Sequence, residues 1–378
     1  MTTFTAASVV AVDTTQFKVH VSLSAGTSNR SSSAFDVDVG GGSAFHFTGT
    51  NLAYDSSGAL LSGTLTGLSE TSFGNTIVSF SSFSIDAASW VQWAHDQNNA
   101  AALTALFGGD DSITGGNQAD YLDGMTGHDI ILGLGGADTI IGGDGNEHLY
   151  GYSPTGGTDG ADSINAGAGS DYVQGNAGND TLDGGDGSDR INGGKDDDLI
   201  TGGSGNDSIN GNIGNDTIDG GADNDFIRGG KDQDSLSGGV GSDTLMGDLG
   251  NDVLIGGAGL DILTGGDGAD TFKFAGNDAQ NVSGGTDVIT DFTDGTDKIA
   301  LGFTVTAVLT GSAQSSLSAA MTAAQQLTDG HGGNGEVVAL SVGSDTYLFY
   351  ASDGGATVNS AIDLKAAAIA AFDTTDFV

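Results

Sequence analysis

Between residues 113 and 272 one large apolar residue returns every nine positions. The series runs Ile113, Leu122, Ile131, Ile140 and Leu149; after a wider step it resumes with Ile164, Val173, Leu182, Ile191, Ile200, Ile209, Ile218, Ile227, Leu236, Leu245, Leu254, Leu263 and Phe272. Flanking residues are mostly polar, so each triplet alternates with the period of a strand and turns its central side chain toward a core. The other six residues of each repeat are rich in glycine, which suits tight turns and not helix. The pattern predicts short strands and turns, two of each per coil, in a solenoid of about nine coils.

The cleanest copies read GNAGNDTLD (Gly175–Asp183), GGDGSDRIN (Gly184–Asn192), GGSGNDSIN (Gly202–Asn210) and GGAGLDILT (Gly256–Thr264). They share the form G-G-x-G-x-D-x-U-x, with U the apolar position. The sixth place holds Asp111, Asp120, Asp129, Asp138, Glu147, Asp162, Asp171, Asp180, Asp189, Asp198, Asp207, Asp216, Asp225, Asp234, Asp243, Asp252, Asp261 and Asp270, eighteen copies in register. Turns eighteen residues apart stack on one side at roughly the 4.7–4.9 Å strand spacing. Carboxylates from neighbouring turns then point into one gap together with turn carbonyls. Such a gap offers only oxygen, and six or more oxygens in a flexible cage suit Ca²⁺ better than Mg²⁺ or Zn²⁺. The seventeen aspartates of the series are the candidate metal ligands. Asp also caps turns on its own account, but stacked carboxylates without a cation repel one another at short range.

Local departures weaken single positions. Glu147 replaces Asp with a longer side chain, Gln118 replaces the third glycine, and Asp196, Asp223 and Asp232 replace it with a residue that tolerates the left-handed region. A six-residue insertion between Tyr150 and Ala161 carries Pro154, the one proline of the chain. Pairing turns eighteen residues apart predicts three sites before the insertion and eleven after it. Two more follow if the insertion loops out without breaking the stack, which makes about 14–16 calcium ions.

The nonapeptide resembles that of the RTX (repeats-in-toxin) calcium-binding proteins, specifically over residues 106–301. The resemblance implies an all-β fold, a parallel β-roll (β-helix) solenoid over 106–273; the residue patterns of the flanks predict a β-rich N-terminal domain over 1–105 and a C-terminal β-rich cap with one short helix over 274–378. It also implies secretion through a type I apparatus and a role like that of RTX domains in surface-layer and matrix proteins.

Charge sharpens the picture. Formal net charge is −5 over residues 1–105, −26 over 106–273 and −10 over 274–378. Nucleic acid and anionic membranes are thereby excluded as expected partners. An acidic, glycine-rich block of this kind is expected to be disordered until a cation neutralises it. No run approaches the ~20 apolar residues of a membrane helix, and the stretch MTTFTAASVVAVDTTQF lacks the basic region of a secretory signal. Sites of the extracellular class bind calcium at about 10⁻⁴–10⁻³ M, too weakly to fill in the cytosol. The expected location is therefore extracellular or on the cell surface, reached without an N-terminal signal.

Downstream, DVITDF (Asp287–Phe292) is similar to the segment that closes RTX rolls. Leu317, Ala320, Met321, Ala324 and Leu327 share one face of a predicted helix over Ser315–Leu327. A hairpin follows: Val337–Val342, a turn at Gly343–Asp345, and Thr346–Ser352. The final Asp376, Phe377 and Val378 resemble an uncleaved type I export signal. Upstream, alternation at Gln16–Leu23, Ala34–Val39, Phe45–Phe47, Leu60–Leu68 and Asn75–Phe83 predicts strands. Asp86 is read as the cap of a helix carrying Trp90 and Trp93, a plug for the open end of the roll or an aromatic sugar platform.

Catalytic motifs are absent. Neither H-E-x-x-H nor G-x-S-x-G occurs, and His20, His46 and His95 lack metal-ligand spacing. The expectation is a calcium-binding structural protein without enzymatic activity, with self-assembly or cell-surface polysaccharide as further partners. The alternative is a small secreted enzyme or binding module for polysaccharide that carries the roll for secretion and stability.

Overall fold

The computed structural model describes residues 2–6, 34–40, 43–54, 60–72, 75–86, 109–115, 119–152, 159–274, 285–331, 335–351, 357–365 and 372–378, the residues before 109 by their backbone alone. The chain divides into two units, Met1–Gly185 and Asp186–Val378.

In the first unit, Asp111–Thr114, Ile130–Leu134, His148–Tyr152 and Tyr172–Ala177 lie side by side as parallel strands. Tyr121–Asp123, Thr139–Asp144 and Ser163–Ala168 form a second parallel series. Register places U beside U: Ile113 pairs with Ile131, and Ile131 with Leu149. Across the insertion the step lengthens, Leu149 pairing with Val173 and Ile140 with Ile164. The ladder therefore keeps its register across the six extra residues, whose positions 153–158 lie outside the described residues; a lost register would expose every U.

Four N-terminal strands, Ala34–Gly40, Ser43–Tyr54, Leu60–Ser72 and Asn75–Asp86, run antiparallel in sequence order. Asn75–Asp86 then pairs antiparallel with Thr2–Ala6, which lies parallel on Asp111–Thr114 with Phe4 beside Ile113. The first strand of the roll thus has no open edge on that side. His46 is an ordinary strand position opposite Asp36 and Ser69. Asp86 is the last residue of a strand, paired with Thr64, and the helix read after it lies outside the described residues. Gln16–Leu23, Trp90, Trp93, His20 and His95 lie outside the described residues.

The second unit repeats the plan. Arg190–Lys195, Ser208–Ile213, Phe226–Lys231, Thr244–Leu249, Ile262–Asp267 and Asp287–Ile289 form one parallel sheet. Leu199–Ser204, Thr217–Ala222, Ser235–Gly241, Val253–Gly259, Thr271–Lys273 and Lys298–Ala300 form the other. Strands of six residues replace the predicted three. The ladder runs on through the first three places of the next repeat, so the first glycine faces inward as part of the strand. All eighteen U side chains are at most 1 % exposed. Burying each contributes roughly 1.5–3 kcal/mol.

The roll ends under a cap of different construction. Helix α1 (Leu317–His331) packs Ala320 and Ala324 against Val338, Leu340 and Phe349 of the hairpin Glu336–Val342 and Asp345–Tyr350, with the predicted Leu317, Met321 and Leu327 on the same face. Ser360–Leu364 pairs antiparallel with the hairpin and parallel with Asp287–Ile289, Ile362 opposite Asp287. The other sheet is met by Phe377, bridged to Ile299. Both last strands of the roll are thus paired.

Candidate metal centre: the stacked carboxylates

Each sixth-place aspartate follows a turn and precedes a strand, so the coil-to-coil stacking brings it over its counterpart one coil away. None of the seventeen is more than 4 % exposed, and Glu147 is fully buried. Within each unit the two oxygens of a carboxylate have separate tasks. Oδ1 accepts the backbone N–H of the aspartate one coil earlier: Asp189 to Asp207, Asp207 to Asp225, Asp225 to Asp243, all at 2.8 Å. The first unit shows the same from Asp111 to Asp129 at 2.7 Å and from Asp120 to Asp138 at 2.8 Å. Across the insertion Asp138 donates to Asp162 and Glu147 to Asp171, both at 2.8 Å. Turn capping is therefore a real role of these residues, and each of these bonds uses one carboxylate oxygen.

The second oxygen is left over. Oδ2 of Asp129, Asp138, Asp162, Asp207, Asp216, Asp225, Asp234, Asp243, Asp252 and Asp270 is buried with no hydrogen-bond partner. Around it the backbone is glycine for steric reasons. A methyl group on Gly202 would stand 2.5 Å from both Asp207 Oδ2 and the carbonyl oxygen of Gly220. Carboxylate and carbonyl oxygens thus converge on space that only glycine leaves open. At the fourth place Gly205 has φ +115°, and the predicted substitutes Asp196, Asp223 and Asp232 hold φ 73°, 75° and 76°. Met125 and Leu134 adopt the same region at 66° and 79° at the second place, a strain no rule of composition anticipates.

Burial without a counter-charge pushes the carboxyls up. Asp162 and Asp234 rise to about 8, and Asp129 and Asp225 to about 7. Desolvation is the largest cause; the Oδ1 hydrogen bond opposes it, and neighbouring carboxylates of the column add to it. Glu147 is raised well above the usual carboxylate range by burial and by Asp171. A buried polar atom with no partner costs about 1–3 kcal/mol, more when charged. A hard cation removes both the unmet oxygen and the repulsion. Among the described residues no three carboxylate or imidazole side chains converge on one point. Two carboxylates and turn carbonyls are the donor set available, and that all-oxygen set fits Ca²⁺.

Two members of the column escaped sequence reasoning. Asp261 N–H donates to Asp287 Oδ1 at 3.0 Å and Asp270 N–H to Asp297 Oδ1 at 3.1 Å, with Asp287 and Asp297 at 0 % and 4 % exposure. Their local pattern, Asp-x-Ile at 287–289 and 297–299, was the available signal once the glycine frame was dropped. A second, exposed ladder runs along the fifth places. Asn224 N–H donates to Asn206 Oδ1 at 3.1 Å, Ser242 N–H to Asn224 Oδ1 at 2.7 Å, and Asn215 N–H to Asp197 Oδ1 at 2.7 Å. Its direction is opposite to the buried one, so each turn is tied both to the coil before it and to the coil after it.

The family model of the RTX calcium-binding nonapeptide repeat matches in seven segments, 108–131, 123–153, 156–191, 183–218, 201–236, 210–245 and 237–272. Among solved structures, the chain is similar to the AlgE6R3 subunit of the Azotobacter vinelandii mannuronan C5-epimerase, with 30 % identity over 42 % of this chain and 78 % of that one, at TM-score 0.30. The AlgE6R2 subunit of the same epimerase shows 31 % identity over 40 % and 88 %, at TM-score 0.27. The extracellular lipase LipA of Serratia marcescens shows 12 % identity over 89 % and 80 %, at TM-score 0.25. No curated protein matches the chain. With its nonapeptides matched across 108–272 and set in parallel coils, the chain belongs to the family of RTX calcium-binding repeat proteins.

Proposed function

We propose that this is an exported protein whose repeat block folds on calcium outside the cell and serves a structural role at the cell surface or in the extracellular matrix, without enzymatic activity. One observation carries the reading: buried carboxylates stacked coil on coil, among which Asp129, Asp138, Asp162, Asp207, Asp216, Asp225, Asp234, Asp243, Asp252 and Asp270 each keep an unmet oxygen, in a block of net charge −26. The sixth-place aspartates from Asp111 to Asp270, joined by Asp287 and Asp297, would hold the ions, with turn carbonyls completing each shell. Calcium supplies positive charge and a flexible oxygen-liking shell. The protein's own part is to space the carboxylates one coil apart and to leave room beside them with glycine.

Export follows from the same chemistry. A chain that cannot neutralise its column at cytosolic calcium stays unfolded, the form a narrow one-step channel can pass, and folding on the far side opposes return. Asp363–Val378 carries the type I signal in this reading. Electron microscopy of the purified chain with and without calcium is the test. Ordered assemblies with calcium, and none in chelator, are expected; monomeric particles in both would remove the structural role, and β structure unchanged in chelator would remove calcium-driven folding as well.

A further inference from the structure

We propose that one long edge of the roll in the second unit is a self-complementary contact for a second copy of this chain. The third places of successive repeats stack there as a row, Lys195 beside Ile213, Ile213 beside Lys231 and Lys231 beside Leu249. The fourth places follow them in the chain as Asp196, Gly214, Asp232 and Gly250. Base therefore alternates with apolar side chain in one row, and acid with glycine in the next, both with a period of two coils, roughly 9–10 Å. The opposite edge has no such row of bases, since its third places are Ser204, Ala222, Val240 and Ala258.

The chain leaves these bases unpaired. Lys195 and Lys231 are exposed and make no ion pair among the described residues, whereas Arg228 on the same sheet meets Asp248 at 2.8 Å. Asp196 and Asp232 are exposed as well, and Ile213 and Leu249 are 41 % and 46 % exposed. A single exposed lysine or leucine is ordinary on a protein surface. Two such rows in register are not, because they fit each other.

When a second copy lies alongside with its axis parallel, turned by half a turn about the line between the rows, each third place faces a fourth place of the same coil. Lys195 then meets Asp196 of the second copy and Lys231 meets its Asp232, and the reverse pairs form by symmetry. Ile213 and Leu249 lie over Gly214 and Gly250, where no side chain is in the way. Turning the second copy end over end instead sets Lys195 on Lys231 and Asp196 on Asp232, base on base and acid on acid. Charge thus selects both the partner and its direction. Two chains of net charge −41 repel at a distance until bound calcium offsets that charge. The pairing therefore belongs to the calcium-loaded roll; it deepens the structural role proposed above and rests on it. So few side chains from each copy make a small contact, of the class that associates weakly.

Analytical ultracentrifugation of the full chain in saturating calcium tests the contact, with Lys195→Glu/Lys231→Glu and Asp196→Asn/Asp232→Asn as variants. All four positions are exposed, and Asn tolerates the φ of 73° and 76° that Asp holds at 196 and 232, so both variants keep the fold. The unsubstituted chain is expected to form a dimer that weakens as salt is added. Each variant alone should dimerise at least about tenfold more weakly, the first because acid faces acid and the second because base faces a neutral amide. An equimolar mixture should form a heterodimer tighter than either variant makes with itself, as Asp196 and Asp232 of the first meet the lysines of the second. A mixture that pairs no better than its parts would overturn the contact, and so would variants that dimerise like the unsubstituted chain. A folded monomer at every concentration would overturn it too and leave the two lysines to an acidic partner of another kind. Failure of the calcium reading looks different: circular dichroism of the unsubstituted chain would then show no gain of β structure with calcium.

Discussion

The roll and the cap at its end are both β-rich, but they keep their stability in different places. In the cap, Ala320, Ala324, Val338, Leu340 and Phe349 meet in one apolar core between helix and hairpin, all fully buried. In the roll, each coil contributes two U side chains and sets beside them carboxylates that are just as deeply buried. The same depth of burial therefore stabilises one column and penalises the other. A cap of this kind can hold together on hydrophobic contact, whereas the roll needs a partner for its oxygens. Burial by itself does not say which side of the balance a residue is on; its unmet hydrogen-bonding capacity does.

Removing calcium should divide the two regions most sharply. In excess chelator, amides of repeat strands such as Ser208–Ile213 and Thr217–Ala222 should exchange at rates close to those of an unfolded chain, while those of the hairpin around Leu340 and Phe349 stay protected. Equal loss in both regions would show that the cap depends on the roll it pairs with through Ser360–Leu364. Phe349→Ala probes the opposite direction. It should cost the cap about 3–5 kcal/mol and leave the midpoint of the repeat block's calcium titration in place. A shifted midpoint would mean that the regions fold as one.

Asp207 separates capping from ion binding within the roll. Asp207→Ala removes the acceptor for Asp189 N–H, at a cost of about 1–3 kcal/mol for the buried donor, and also removes a ligand. Asp207→Asn can keep the acceptor and lose only the charge. Calorimetric calcium titration should therefore show weaker binding in both, with the metal-free Asn variant no less stable than the unsubstituted chain. If Asn and Ala were equally destabilised without calcium, the unmet Oδ2 would not be the source of the penalty.

Acid should act on the roll in a smaller way. Asp162 and Asp234 are raised to about 8 in the folded roll, chiefly by desolvation, from 3.8 when unfolded. The fold therefore holds protons that the open chain releases, and their stabilisation is fully present below about 4 and lost as pH rises through about 8. Chelated protein should accordingly gain β structure by circular dichroism as pH falls from 8 toward 4. The cap, without such a column, should change little. A roll that unfolds further on acidification would reverse the sign of this account.

The coil was legible because its signals are local and repeated. A U every nine residues, glycine where a Cβ has no room and Asp before each strand are properties of one nonapeptide, and stacking multiplies them. The helix face from Leu317 to Leu327 and the hairpin after it were legible for the same reason, since each rests on one period. Strand length was underread: the ladder continues into glycines that carry no side-chain pattern. Asp287 and Asp297 were missed because the chain leaves the glycine frame before it leaves the column.

The amino-acid sequence by itself determined the repeat, the inward U side chains, the sign and density of charge, and the oxygen-only chemistry of the turns. Only the tertiary structure decided how a carboxylate such as that of Asp207 is divided, with Oδ1 on the preceding coil's N–H and Oδ2 left unmet, because that depends on one coil being laid over the next. It also decided that the register holds across the insertion, that Thr2–Ala6 lies on the first strand of the roll, and that Ser360–Leu364 and Phe377 pair with its last strands. These pairings join residues far apart in the chain through backbone groups that every residue carries, so no side-chain pattern announces them.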